Sequence, residues 1–104
     1  MKDLIFYFHQ DGGHAWLKVS KDTFNRTNLT MRSISSFSYH DNKNYYLEED
    51  VDATLYLNNL KDQNIKYSFI NVDDGEYSPI RNLPRVEMVG GLLKEPKQLV
   101  LRGF

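Results

Sequence analysis

Two short stretches near the N-terminus are rich in aliphatic and aromatic residues, which is typical of β-strands, and successive side chains of a strand lie on opposite faces. Residues 4–8 and 15–19 are therefore predicted as strands, and the turn-forming residues 10–13 between them predict a hairpin. A four-residue loop places His9 opposite His14. One face of this hairpin then carries only apolar side chains and is predicted to face the core: Leu4, Phe6, Phe8, Ala15, Leu17 and Val19.

The opposite face of the predicted hairpin is aromatic and titratable. It carries Ile5, Tyr7, His9, His14, Trp16 and Lys18. A sheet that is covered by helices on one face leaves its other face to water, to a ligand or to another subunit. The composition of this second face favours a groove or an interface over bulk water.

Further segments complete the predicted sheet. Residues 34–40 and 45–47 are predicted to form a second hairpin around a loop at 41–44, with Tyr39 opposite Tyr46. The break in alternation within the first of these segments predicts a bulge or burial on both faces. The remaining predicted strands are residues 65–72 and 98–102.

Helical spacing of apolar residues is clearest over 49–63, where Asp50 and Asp52 are expected to stay exposed on the polar side. A shorter helix is predicted over 20–28, with Ser20 as its N-cap. The predicted fold class is α+β: an antiparallel sheet of four to six strands, with one main helix and one short helix packed on one face.

Length and charge narrow the classes of function. The 104 residues fit a single domain, 1–104, with a flexible or appended segment over about 87–104. Thirteen basic and fourteen acidic residues give a net charge of −1, which disfavours both a binder of extended nucleic acid and an acidic DNA mimic. The absence of cysteine excludes disulfides and thiolate ligands. The apolar runs are too short for a signal peptide or a membrane span, so a cytoplasmic location is expected.

Two arginines near prolines, Arg81 and Arg85, can form an anion clamp because guanidinium groups match phosphates and carboxylates. The alternative is that both are surface residues in weak ion pairs. Aromatic rings can stack on a base or fill an interface, although any single ring is more often part of a core. The predicted ligand-binding residues are Tyr7, His14, Trp16, Tyr39, Arg81 and Arg85.

Two clusters of possible ligand residues indicate a metal site, but less strongly than the arginines and aromatic residues indicate an anion site. His9 and His14 flank a turn that contains Asp11, and residues 48–52 include four carboxylates. The alternatives are histidines beside a turn, and a helix start whose acids match the helix dipole. The sequence contains no nucleophile elbow, P-loop or dinucleotide-binding motif. We therefore expect no catalytic residue, no metal and no cofactor.

Four segments are similar to the motifs of a known family: GHAWL at 13–17, SY at 38–39, YLEEDVDA at 46–53 and SPIR at 78–81. The chain resembles a family of short proteins from phages and mobile bacterial elements, whose members show GHGWL, YLEEDxDA and SPIR. The resemblance covers about residues 4–86 and departs at Ala15, where the family usually has glycine. It implies a small accessory protein of the kind that counters host defence.

Three functions follow from these observations. The first is a non-enzymatic counter-defence protein that sequesters a small nucleotide-like signal; such proteins are typically homo-oligomers, and this is expected here. The second is an inhibitor that binds a host defence protein, as anti-CRISPR proteins do. The third is a metal-dependent enzyme that uses His9, His14 and the acidic cluster.

Overall fold

The computed structural model describes residues 3–86, 88–89 and 92–93. Within these residues the chain forms a sheet, two helices and two short 3-10 turns, which lie at Met31–Ser33 and Pro79–Asn82. The helices and strands are β1 (Leu4–Gln10), β2 (Ala15–Ser20), α1 (Lys21–Phe24), β3 (Tyr39–His40), β4 (Asn44–Glu48), α2 (Asp52–Asp62), β5 (Tyr67–Asp73), β6 (Met88–Val89) and β7 (Leu92–Leu93).

The main sheet has five strands in the order β3-β4-β2-β1-β5. All neighbouring pairs are antiparallel except β1 and β5, which are parallel. The parallel pair arises because α2 separates β4 from β5, and a helical crossover returns the chain in the same direction. The predicted α+β class, with one main helix and one short helix, is confirmed.

The first hairpin has the predicted faces but not the predicted loop. Its loop lies at residues 11–14, so that Gln10 pairs with Ala15 and His9 pairs with Trp16. The loop begins one residue later than predicted because the Asp11 carboxylate accepts hydrogen bonds from the backbone N–H groups of Gly13 and His14. This change moves the pairing by two residues, and a shift of two leaves every side chain on its original face.

The core lies between one face of the sheet and the two helices. We call this side of the sheet the core face; Leu17 and Leu47 at its centre are completely buried. Phe24, the single buried residue of α1, stacks on Tyr56 of α2, which meets Phe6 of β1 edge to face. Aromatic pairs of these geometries stabilise a core by about 0.5–1.5 kcal/mol beyond the area they bury. The main core residues are Phe6, Leu17, Val19, Phe24, Ile34, Tyr45, Leu47, Ala53, Tyr56, Leu60 and Val86.

The second hairpin has the predicted register, with Tyr39 opposite Tyr46. Its first strand is shorter than predicted, because residues 34–38 leave the sheet to reach the start of α2. There, Asp52 accepts hydrogen bonds from the backbone N–H and hydroxyl of Ser35 and from the hydroxyl of Ser38. Asp52 is therefore only 3% exposed, and the prediction that it stays in water is wrong.

A side chain caps the first helix but not the second, and both helices are shorter than predicted. Ser20 caps α1 by accepting from the N–H of Thr23, as the sequence predicts. The main helix begins only at Asp52, because the Glu48 carboxylate accepts from the N–H groups of Asp50 and Val51 and holds them in a turn.

The C-terminal part of the chain is described only at β6 and β7, which pair as an antiparallel hairpin. The predicted strand at 98–102 lies outside the described residues, as does most of the segment predicted as flexible or appended over about 87–104. In the described part of the chain, no helix combines the length and the apolar character that crossing a bilayer requires.

The buried hydroxyl of Tyr56 provides a test of this core. Among the described residues it has no hydrogen-bond partner, and burial raises the pKa of Tyr56 to about 12. Because an unsatisfied buried hydroxyl costs free energy, we expect Tyr56→Phe to raise the free energy of unfolding by about 1 kcal/mol. Denaturant-induced unfolding measures the change.

Tyr46→Phe is the matched control for this substitution. The Tyr46 hydroxyl donates to Asp41 at 2.8 Å, so removing it is expected to lower the free energy of unfolding by about 1 kcal/mol. If Tyr56→Phe destabilises the protein as much as Tyr46→Phe does, the Tyr56 hydroxyl has a partner that this packing does not contain.

Candidate functional site

A pocket of about 290 Å³ lies on the face of the sheet opposite the core face. We call this side the pocket face. Five of the six predicted ligand-binding residues line the pocket: His14, Trp16, Tyr39, Arg81 and Arg85. Four residues that the sequence analysis did not select as ligand-binding also line it: Phe37, Glu48, Asp50 and Val51.

One wall of the pocket is fixed by an ion pair between Arg81 and Asp11. The Arg81 Nε donates to one carboxylate oxygen at 2.7 Å, and its Nη2 donates to the other at 3.0 Å. The side chain of Asp11 is completely buried, whereas the side chain of Arg81 is 22% exposed. A paired fork of this kind is stronger and more directional than a single hydrogen bond.

Gly13 makes room for this ion pair. A Cβ atom at position 13 would lie 3.2 Å from the Arg81 Nη2, which is closer than ordinary van der Waals contact. Glycine therefore suits this position for a second reason besides turn formation, since the absence of a side chain allows the guanidinium to lie directly against the loop backbone.

The segment that carries both arginines is tied to the sheet by hydrogen bonds. The Ser78 N–H donates to Asp11 at 2.8 Å, and the Ser78 hydroxyl donates to Asp74 at 2.6 Å. At the other end of the segment, Tyr39 and Arg85 form an isolated antiparallel bridge beside β3. Residues 78–85 thus cover the pocket face although they form no strand of the sheet.

The aromatic residues of the pocket support the arginines. Trp16 is 2% exposed, with the Arg81 guanidinium 5.2 Å from its ring centre, and Tyr39 is 6% exposed, with Arg85 at 5.1 Å. Cation–π contacts of this length are favourable by about 0.5–2 kcal/mol. Trp16 and Tyr39 therefore present little free ring surface to a ligand, because a guanidinium group lies against each ring.

Tyr7 is the one predicted ligand-binding residue that does not line the pocket. It lies on the pocket face and is 48% exposed, but it pairs with Lys18, two residues along β2 from Trp16. The alternation of the strand correctly gave its face, but could not show where along the strand the pocket ends.

Phe37 is the large apolar ring of the pocket that remains exposed, at 59%. The sequence offered one signal for it, since Phe37 stands between Ser36 and Ser38 where the predicted strand loses its alternation. The neighbouring serines make hydrogen bonds within the protein: the Ser38 hydroxyl donates to Asp52, and the Ser36 backbone carbonyl accepts from Arg85. Phe37 is left at the rim, where a planar group can stack on it.

The two histidines that suggested a metal site are in different places. The His9 ring is hydrogen-bonded to Asp74 at 3.1 Å, whereas the His14 ring lies 6.1 Å from Trp16 at the pocket. Over the residues that the structure describes, no group of three or more His, Asp or Glu side chains is arranged to hold a metal ion.

Comparison with protein-family models, with curated proteins and with solved structures yields no match to this chain. The geometry of the pocket is therefore the basis on which a function is proposed.

The covered carboxylate of Asp11 predicts acid sensitivity. The Arg81 guanidinium holds the pKa of Asp11 far below its usual range, helped by three backbone N–H groups and opposed by burial. A lowered pKa in the folded state means that this stabilisation is complete above the ordinary pKa of about 3.9 and is lost as the pH falls further.

We expect Asp11→Asn to lower the free energy of unfolding at pH 7 and to make it depend less on pH between about 5 and 2. Denaturant titrations across that range measure both effects. Asp22→Asn is the control, since Asp22 is exposed on α1. Equal pH dependence in the two variants would contradict the role given to Asp11.

Proposed function

We propose that this protein is a non-enzymatic binding protein of the phage-accessory type, which sequesters a small nucleotide-like anion in the pocket. Three kinds of observation support the proposal: the charge state of the two arginines, the size and rim of the pocket, and the positions of the motif segments.

The uncompensated charge of Arg85 is the observation that carries the proposal. Arg81 is neutralised by Asp11, whereas Arg85, as far as the described residues show, donates only to the Ser36 carbonyl, at 3.1 Å. Within residues 3–86, no carboxylate lies within salt-bridge distance of Arg85. A guanidinium with unused donors at a pocket is suited to bind a phosphate or a carboxylate.

The size of the pocket favours a compact ligand. Its volume of about 290 Å³ lies at the lower end of the range for ligand pockets, roughly 300–1,000 Å³. Phe37 at the rim offers a ring for stacking, which can contribute about 1–3 kcal/mol for a nucleobase. We therefore infer a ligand of mononucleotide size.

The segments that carry the family resemblance meet at this pocket. His14 and Trp16 come from the first motif, Tyr39 from the second, Glu48 from the third and Arg81 from the fourth. This convergence supports the proposal that the shared residues serve ligand binding. In the counter-defence role that the resemblance implies, the protein would remove a nucleotide signal from a host response.

The test is titration with cyclic and linear mononucleotides, followed by heat and by the fluorescence of Trp16, the single tryptophan. We expect binding, and we expect Arg85→Gln to weaken it about tenfold to a hundredfold, because a charge-assisted hydrogen bond is lost. Arg26→Gln is the control, since Arg26 is exposed and does not line the pocket. No heat across the panel, or equal loss in both variants, would refute the proposal.

A second candidate function, inhibition by binding a host defence protein, is supported by the far edge of the sheet. Among the described strands, β5 is paired only with β1. The N–H of Leu4 donates to Lys66, and that of Asp74 donates to Gln10, so the even-numbered residues of β5 face β1. The odd-numbered residues therefore direct their N–H and C=O groups outward, where a partner strand can pair with them.

Exposed apolar residues accompany this edge on the pocket face. Ile5, Tyr7 and Ile70 are 62%, 48% and 46% exposed, and Tyr7 is directly beside Ile70 in the sheet. We infer that the partner in this second function presents an extended segment with apolar side chains, which extends the sheet at β5 and covers Ile70.

Phage growth on a host that carries a defence system distinguishes the two functions. If the pocket is responsible, Arg85→Gln abolishes protection of the phage and Ile70→Lys does not. If the β5 edge is responsible, the pattern is reversed. Light scattering of both variants completes the comparison, since loss of a homo-oligomer in Ile70→Lys would assign the edge to self-association.

A further inference from the structure

A buried carboxylate with one unused oxygen lines the pocket. Glu48 is 9% exposed, and its Oε1 accepts from the N–H groups of Asp50 and Val51, both at 3.1 Å. These two bonds fix the side chain and fill the acceptor capacity of Oε1. Among residues 3–86, no group donates to Oε2.

The arginines of the pocket do not neutralise Glu48. No nitrogen of Arg81 or Arg85 lies within 4.0 Å of its carboxylate in the described part of the chain. The pocket therefore carries two chemically distinct groups, a guanidinium that donates hydrogen bonds to an anion and a carboxylate that accepts them. Because Oε2 is a charged acceptor with no protein donor among residues 3–86, a ligand that supplies N–H groups to it would replace water with charge-assisted hydrogen bonds.

A second carboxylate lines the same pocket. Asp50 also lines the pocket, is exposed, and uses its backbone N–H rather than its carboxylate to contact Glu48. Two carboxylates in one pocket can accept from a ligand edge that presents two neighbouring N–H donors. The base edge of guanine does this through N1–H and the N2 amino group, whereas adenine presents one amino group beside an acceptor nitrogen.

We propose that the pocket selects guanine mononucleotides, with Glu48 and Asp50 accepting from the base edge and Arg85 binding the phosphate. Phe37 is placed at the rim to stack on the base. This inference rests on the proposed function, because it names the ligand of the same pocket. It goes beyond that function by assigning two carboxylates a role in choosing the base.

Titration of the protein with GMP, IMP and AMP tests the inference. IMP lacks the N2 amino group, and AMP places an acceptor nitrogen against the carboxylates. We expect GMP to bind most tightly, IMP about tenfold more weakly, and AMP more weakly again, since each lost charge-assisted hydrogen bond costs about a factor of ten or more.

Glu48→Gln is the decisive variant. The amide oxygen can still accept from the N–H groups of Asp50 and Val51, so the turn before α2 is kept. The amide NH₂ then replaces Oε2 and opposes the donors of guanine. We expect the preference for GMP over AMP to disappear. Glu49→Gln makes the same charge change at a residue that does not line the pocket, and should retain the preference.

The outcomes separate this inference from the proposed function. If GMP, IMP and AMP bind alike and Arg85→Gln weakens all three, the proposed function holds and the guanine inference is overturned. An unchanged ranking in Glu48→Gln also overturns it. If none of the three nucleotides binds, the guanine inference is overturned, and the proposed function is overturned as well if the wider panel of cyclic and linear mononucleotides also fails to bind. A GMP preference that Glu48→Gln removes and Glu49→Gln retains supports both.

Discussion

The ion pair between Asp11 and Arg81 is the contact on which the rest of the site depends. It joins residues that are seventy positions apart in the chain. The same carboxylate shapes the hairpin loop and accepts from the backbone of Ser78, so one side chain fixes the loop and the segment that covers it. The pocket exists because this segment is held against the sheet at a fixed place.

The faces of the first hairpin could be predicted, and its loop could not, for different physical reasons. Odd-numbered and even-numbered residues of a strand lie on opposite faces of the sheet. An error of two residues in the pairing therefore does not change which side chains are buried. The position of the loop depends on Asp11, whose strongest partner is Arg81. Nothing near the loop in the sequence indicates that partner. The second hairpin has a local signal, since Asp41 accepts from the N–H groups of Lys43 and Asn44 within its own turn.

The site residues likewise divide into those that the sequence predicts and those that depend on distant parts of the chain. Reasoning from side-chain chemistry selected His14, Trp16, Tyr39 and both arginines, and these do line one pocket. It could not predict that the segment 78–85 covers the second face of the sheet, because that segment has no periodic pattern. Trp16 is consequently buried by a segment of the chain itself, on a face that was expected to be a groove or an interface. Glu48 was interpreted as part of a solvated helix start, whereas it is a buried residue that lines the pocket.

The two edges of the sheet are not equivalent, and this limits how copies of the chain can join through their strands. Beside β3, the segment 84–86 occupies the edge, where its backbone pairs with His40 and Ser38. The edge at β5 is open. Joining two copies edge to edge uses the open edge of each and leaves none for a third. Within the part of the chain that the structure describes, a pair of copies joined in this way therefore has no second β5 edge left to add another copy.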